Sequence, residues 1–343
     1  MAGTEGGHST RAVLAALFAN AGIAAAKFVA FLLTSSASML AESVHSLADT
    51  GNQGLLLLGG RRAQRPATPQ HPFGYGRERY FWSFVVALML FSLGGMFAIY
   101  EGISKIRTPH ELESPKIAIA VLVVAIVLES LSFRTAIVES RHVKEPGISW
   151  WGFIRRAKQP ELPVVLLEDL GALTGLIIAF CAVGVAIVTD DARYDGIGTL
   201  SIGILLVIIA AVLAFEMKGL LIGESASDTD QQAIAAAIEV DPSVQRLIHL
   251  RTEHIGPDEL LVGAKIELID GLDISEVVEI VDNVETAVRR AVPSARIMYL
   301  EPDIFRTTVP GNETLSPADL AVKPKPRPEP PAKAEAQAEA AAE

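Results

Sequence analysis

His45 and Asp49 stand four residues apart in the run AESVHSLADTGNQ. On a helix that spacing puts both side chains on one face. A neutral imidazole beside a carboxylate is a common pair of ligands for a divalent transition ion. Glu42 precedes His45 by three residues, and Asn52 and Gln53 follow Asp49 by three and four, so the polar side chains form one stripe. The rest of such a helix would face hydrocarbon. An ionisable group in hydrocarbon costs at least about 2.5 kcal/mol, so the stripe must face a cavity or a partner helix. Hydrogen bonding between helices would also use such a stripe. The spacing favours metal ligation by His45 and Asp49, with Glu42 as a secondary ligand.

A second set lies in PVVLLEDLGALTG, where Glu168 and Asp169 are adjacent carboxylates just inside an apolar stretch. Neighbours on a helix point about 100° apart, so one of them faces a given site more directly. Asp169 and Glu168 are both candidate ligands. The competing role is an acidic pair at the membrane edge, offset by the basic loop before it. His71, in TPQHPFGYGRER, is a further possible metal residue. A lone histidine is weak grounds for a site, and Pro72, Gly74 and Gly76 read first as a structural elbow. The arginines beside them suit lipid phosphates. Lys27 and Glu129 are isolated charges in apolar stretches and read as structural. His249 and His254 have no cysteine to join them in a metal site.

These residues need membrane-spanning helices to position them. The chain is 50% hydrophobic and 20% charged, with a mean hydropathy of +0.37, and the apolar excess lies before Gly223. Six stretches are long enough to cross about 30 Å of hydrocarbon: 13–33, 37–60, 81–104, 116–138, 163–189 and 196–222. The first ends without a convincing cleavage site, which predicts a retained span and not a signal peptide. Arg61, Arg62, Arg65, Arg77 and Arg79 follow the second stretch, and Arg141, Lys144, Arg155, Arg156 and Lys158 follow the fourth. The turns after the first and fifth hold no basic residue and Arg193 alone. The positive-inside rule then puts the even-numbered loops and both termini in the cytoplasm.

Beyond the spans, the pattern predicts a helix over 231–239, strands over 244–253 and 259–269, a helix over 274–291 and a strand over 295–300. Gly256, Pro257 and Asp258 are turn material. Ile274, Val277, Val278, Val281, Val284 and Val288 form the predicted apolar face of the long helix. The order αββαβ suits a small α+β domain. The domains are therefore a cytoplasmic segment 1–12, a helical membrane domain 13–222, an α+β domain 223–304, and a Pro/Ala/Glu-rich tail 305–343 of disordered composition. The net charge of −11 gives no support to nucleic-acid binding. The single cysteine, Cys181, cannot form an internal disulfide.

With these residues in view, the chain resembles the cation diffusion facilitators, exporters of zinc and related divalent cations. The likeness is carried by NAGIAAAKFVAFLLTSSASMLAESVHSLADT, HPFGYGRER and YLEPD, and covers roughly residues 11–304. It implies six spans, cytoplasmic termini, a ferredoxin-like C-terminal domain and a homodimer. It also implies a transport site built from (Asp/His)-x-x-x-Asp on the second span and His-x-x-x-Asp on the fifth. Transferred by position, these are His45, Asp49 and Asp169, with Val165 where the second histidine would stand. Glu168 is then the candidate fourth ligand. The run LEDLGALTG is similar to the branch that includes the mitochondrial-type zinc transporter, which also lacks that histidine.

Further family positions hold Thr68, His71 and Tyr75 in the loop and Tyr299 and Val278 in the soluble domain, so a regulatory zinc centre is not expected. The implied activity is export of a divalent cation, Zn²⁺ foremost with Mn²⁺, Fe²⁺ and Co²⁺ open, in exchange for protons. No cofactor and no enzymatic role are expected. The expected setting is a bacterial inner membrane. Two alternatives are a transport-inactive membrane partner or assembly protein, and a membrane metalloenzyme. No further cluster supplies the catalytic acid or base that the metalloenzyme needs.

Overall fold

The computed structural model describes residues 13–14, 17–18, 20–26, 28–29, 32, 37–109, 115–144 and 146–306, without the side chains of 37–45, 48 and 115–117. The predicted segment 1–12, Lys27, and the tail from 307 onward lie outside the described residues, as do the side chains of Glu42 and His45. The chain forms two compact units, Met1–Glu224 with His254–Asp258, and Ser225–Glu253 with Glu259–Glu343.

The first unit is helical. Helix α1 runs Ala37–Ala63 and carries the His45–Gln53 stripe. Helix α2 runs Glu78–Arg107 and contains a π-helical turn at Leu90–Met96. Helix α3 is Pro115–Val143, with proline at the first helical position, where its missing N–H costs nothing. The short α4, Trp150–Arg156, is capped by Ser149, whose hydroxyl accepts from the Gly152 amide. Helix α5 is Glu161–Thr189 and ends at Asp190 in the left-handed conformation, φ 55°. Helix α6 is Arg193–Ile222.

Among the described residues, four helices are long and apolar enough to cross a bilayer: Glu78–Arg107, Ala118–Val143, Glu161–Thr189 and Arg193–Ile222. They correspond to the third to sixth predicted spans. The 27 residues of α1 are enough to cross a bilayer at 1.5 Å per residue, but its polar stripe lowers its hydropathy. Large apolar side chains such as Phe97, Val127, Ile177, Ile208 and Phe215 point outward from α2, α3, α5 and α6. In water such faces would be a liability; in lipid tails they are the matching surface.

Helix α5 divides in two. Glu161 through Asp169 are all buried, whereas Ile177, Phe180, Val185 and Val188 are exposed. Its first half is enclosed by protein on every side. The core around it joins Leu56 of α1, Val86 and Leu90 of α2, Ala136 of α3, and Leu206 and Leu213 of α6.

The second unit has a three-stranded sheet in the order β1-β2-β3. Strand β1 is Val244–Gly256, β2 is Glu259–Leu268 and β3 is Ala295–Pro302. A turn at Pro257 and Asp258 separates β1 from β2. Strands β2 and β3 are parallel, with Val262 opposite Met298 and Ala264 opposite Leu300. Parallel neighbours need a crossover, and α8, Ile274–Ala291, supplies it. Asp273 and Glu276 form a reciprocal capping box at its start. Helix α7, Asp228–Ile238, is capped by Ser227 and packs against α8. The predicted order αββαβ is the observed order.

Leu260, Val262, Ala264 and Ile266 alternate inward on β2 and meet Ile234, Ile238, Ile280, Val284 and Val288 from the two helices. The predicted apolar face of α8 needs one correction. Ile274 is 84% and Val278 54% exposed, and the buried stripe runs through Ile280, Val284 and Val288 with Val277 and Val281 at its flank. Val277 and Val278 lie 100° apart, so both cannot face the sheet, and Ile280 takes the inward place.

Candidate metal centre

Three helices bring polar side chains into the apolar interior of the first unit. From α5 come Glu168 and Asp169, 6% and 1% exposed. They leave the helix in different directions, as their 100° separation requires. Glu168 turns to α1. Its Oε1 accepts from Asn52 Nδ2 at 3.0 Å and its Oε2 from Gln53 Nε2 at 2.9 Å. The Gln53 carbonyl in turn accepts from Asn20 Nδ2 at 3.3 Å. Asp169 turns to α3, where Ser132 Oγ donates to its Oδ2 at 2.8 Å.

Asp49, half-buried on α1, is near enough for its charge to act on both Glu168 and Asp169. Glu129, buried one turn before Ser132 on α3, acts on Glu168. Two buried oxygens in this cluster, Asp169 Oδ1 and Asn52 Oδ1, have no hydrogen-bond partner among the described residues. An unpaired buried acceptor is unusual in a native interior, and a bound cation is one way to satisfy it.

The candidate residues thus divide. Asp49, Glu168 and Asp169 come together, and α1 carries His45 one turn before Asp49. Among the described residues, no group of three His, Cys, Asp or Glu side chains forms a ready-made metal site; the side chains of His45 and Glu42 are not in that set. Val165 is packed in the core at 1% exposure. His71 lies elsewhere, exposed in the loop before α2. There Thr68 and Tyr75 share a hydrogen bond at 3.3 Å, the His71 ring leans on the Tyr75 ring at 4.6 Å, and Gly74 turns the chain at φ 81°. The elbow holds itself together by neutral contacts.

Sequence reasoning assigned no role to Asn52 and Gln53 beyond the stripe, read Glu129 as isolated, and passed over Ser132. Glu129 and Ser132 are three apart and therefore share a face. That spacing was the available signal.

A second polar contact sits at the start of α5. The carboxylate of Glu161 pairs with the guanidinium of Arg79 on α2 through two hydrogen bonds, Arg79 Nη2 to Oε2 at 2.9 Å and Arg79 Nε to Oε1. The two side chains are 5% and 11% exposed. This pair ties α2 to the enclosed half of α5.

Comparison with known proteins identifies the family. Residues 13–222 match the family model of the cation efflux transmembrane domain. The human proton-coupled zinc antiporter SLC30A9, mitochondrial, is 32% identical over 242 residues, 70% of this chain and 43% of that protein. Metal tolerance protein C4 of Arabidopsis thaliana is 31% identical over 261 residues, 76% of this chain and 57% of the relative. The cation-efflux pump FieF of Pectobacterium atrosepticum is 26% identical over 312 residues, 89% of this chain and 97% of the pump. The chain spans less than half the length of the human relative. By the family match over its membrane domain and its identity to the SLC30A9 proteins, this chain is an integral membrane protein of the cation diffusion facilitator family, related to the mitochondrial-type zinc transporters.

Proposed function

We propose that this chain is a secondary transporter that carries a divalent cation, Zn²⁺ foremost, out of the cytoplasm in exchange for protons. The observation that carries the proposal is buried Glu168 bonded to the polar stripe of α1, with Asp169 buried beside it and within range of the Asp49 charge. Its ligands are His45, Asp49 and Asp169, with Glu168 in the same acidic cluster. His71, in the loop before α2, and Glu42, one turn before His45, are the candidate secondary metal residues. The name of the human relative describes proton-coupled zinc antiport and that of the Pectobacterium relative cation efflux, and both accord with this reading.

An imidazole with an ordinary pKa near 6.5 lets protons compete with metal in the physiological range. Metal would enter His45, Asp49 and Asp169 from the cytoplasmic side. A shift of the helix bundle would open the site outward, and protons would displace the ion. Each proton moving inward uses about 2.3 kcal/mol per 100 mV of membrane potential. The site mixes one nitrogen with several oxygens, which leaves Mn²⁺, Fe²⁺ and Co²⁺ as competing cargo. We assign six spans, a ferredoxin-like second unit, cytoplasmic termini, a bacterial inner membrane and a homodimer on the loop charges and on family likeness.

Proteoliposomes test the proposal. Zn²⁺ uptake driven by an opposed pH gradient is expected in the native protein and should vanish in Asp49→Ala and Asp169→Ala. Undiminished flux in both would remove the site. Val165 favours one second reading, a transport-inactive family member acting as a membrane partner. Calorimetry separates the two, since that member would bind no metal at this site.

A further inference from the structure

We infer that the side-chain carbonyl oxygen of Asn52 is a ligand of the transported cation, and that Glu168 is the positioning residue that aims it. The inference rests on the cation site proposed above. That site has three ligands, and a tetrahedral divalent ion takes four.

An ionised carboxylate only accepts hydrogen bonds. Both oxygens of Glu168 meet amide nitrogens, from Asn52 at 3.0 Å and Gln53 at 2.9 Å. In the structure the Asn52 amide has its NH₂ toward Glu168 and its oxygen turned away. The clamp is itself held, because the Gln53 carbonyl accepts from Asn20. Both oxygens of Glu168 and both polar atoms of the Gln53 side chain are thus engaged. Asn52 Oδ1 is the exception: it is buried, in a residue 3% exposed, and has no partner among the described residues. Leaving it so carries the desolvation penalty of a buried, unsatisfied acceptor.

Asp169 Oδ1 is in the same condition. Asn52 lies three residues after Asp49 on one helix face, and its bonding partner Glu168 is the chain neighbour of Asp169. Two unpaired acceptors in a cluster with Asp49, Glu129, Glu168 and Asp169 call for a positive charge. A neutral amide oxygen beside two carboxylates and one imidazole makes an NO₃ set. Such a set leans toward harder ions than one with two imidazoles.

Titration calorimetry of the full chain in nanodiscs, with Zn²⁺ and Mn²⁺, tests the assignment. Asn52→Ala is expected to weaken Zn²⁺ binding about tenfold or more. Glu168→Gln should lose less, because glutamine still offers an acceptor to the Asn52 amide. Asn52→Asp keeps an oxygen in place and should raise Mn²⁺ affinity relative to Zn²⁺. A loss in Glu168→Gln as large as in Asp169→Ala, with Asn52→Ala within about twofold of native, would make Glu168 the fourth ligand and overturn the assignment. If Asn52→Ala does not fold, an unchanged Mn²⁺-to-Zn²⁺ ratio in Asn52→Asp overturns it alone. Unaltered Zn²⁺ binding in both Asp49→Ala and Asp169→Ala would instead remove the underlying site.

Discussion

One oxygen of Asp169 is held by the Ser132 hydroxyl at 2.8 Å, and the other is unpaired among the described residues. Ser132 therefore sets the direction in which Asp169 offers its free oxygen. Partners that orient a ligand are worth about 10–100-fold in metal affinity. Ser132→Ala is expected to weaken Zn²⁺ binding by that range, and Ser132→Thr, which keeps the hydroxyl, to recover much of it. Calorimetry reads both; native affinity in Ser132→Ala would mean that Asp169 is oriented by something else. The candidate ligands and the His45–Asp49 spacing were legible in the sequence, because helical period follows from residue order. The divergent directions of Glu168 and Asp169 were half legible. Their 100° separation was readable, but the helix that each meets depends on packing.

At the scale of elements, α2 and α6 approach through glycine. A Cβ on Gly102 would stand 2.5 Å from the backbone nitrogen of Leu200, and one on Gly203 would stand 2.7 Å from that of Ile99. Small residues let backbones come together where lipid offers no hydrophobic drive for helix association. Gly102→Ala must push the helices apart, at a cost of about 1–3 kcal/mol. It should lower the thermal unfolding midpoint, whereas Gly54→Ala, in open space, should not. Equal midpoints would show that the contact gives way freely. Arg79 and Glu161 pin α2 to the enclosed start of α5. Removing one partner of a buried pair costs about 3–5 kcal/mol. Glu161→Ala should destabilise by that amount, and adding Arg79→Ala should cost less than the sum of the single changes. An additive double-mutant cycle would mean that the pair is not coupled. Neither contact was legible: the glycines look like ordinary composition of a membrane helix, and Arg79 looks like one more loop cation.

At the scale of the whole molecule, the loop arginines predict which side each loop faces. Cys181 is the only cysteine, so Cys181→Ser makes a clean background for reporters. In intact cells, a cysteine at Ala192 should react with an impermeant maleimide and one at Gln64 only after permeabilisation. The reverse pattern would invert the orientation. Residue order alone determined the αββαβ succession of the second unit and the long apolar helices, and it singled out the acidic and histidine candidates for the proposed site. All of these follow from local periodicity and from the energetic cost of polar groups in hydrocarbon. The tertiary structure decided what lies between elements distant in sequence. It enclosed the half of α5 that carries Glu161, Glu168 and Asp169 and left apolar side chains of the other half, such as Ile177 and Val188, exposed on the surface. It also brought the α3 residues Ser132 and Glu129 to the α5 carboxylates. The polar stripe of α1 carried the first suggestion of a metal site, and its packing showed that the same stripe also holds Glu168. Which acceptors are paired and which are left open is set by partners from 33 to 116 residues away along the chain, beyond the reach of any local pattern.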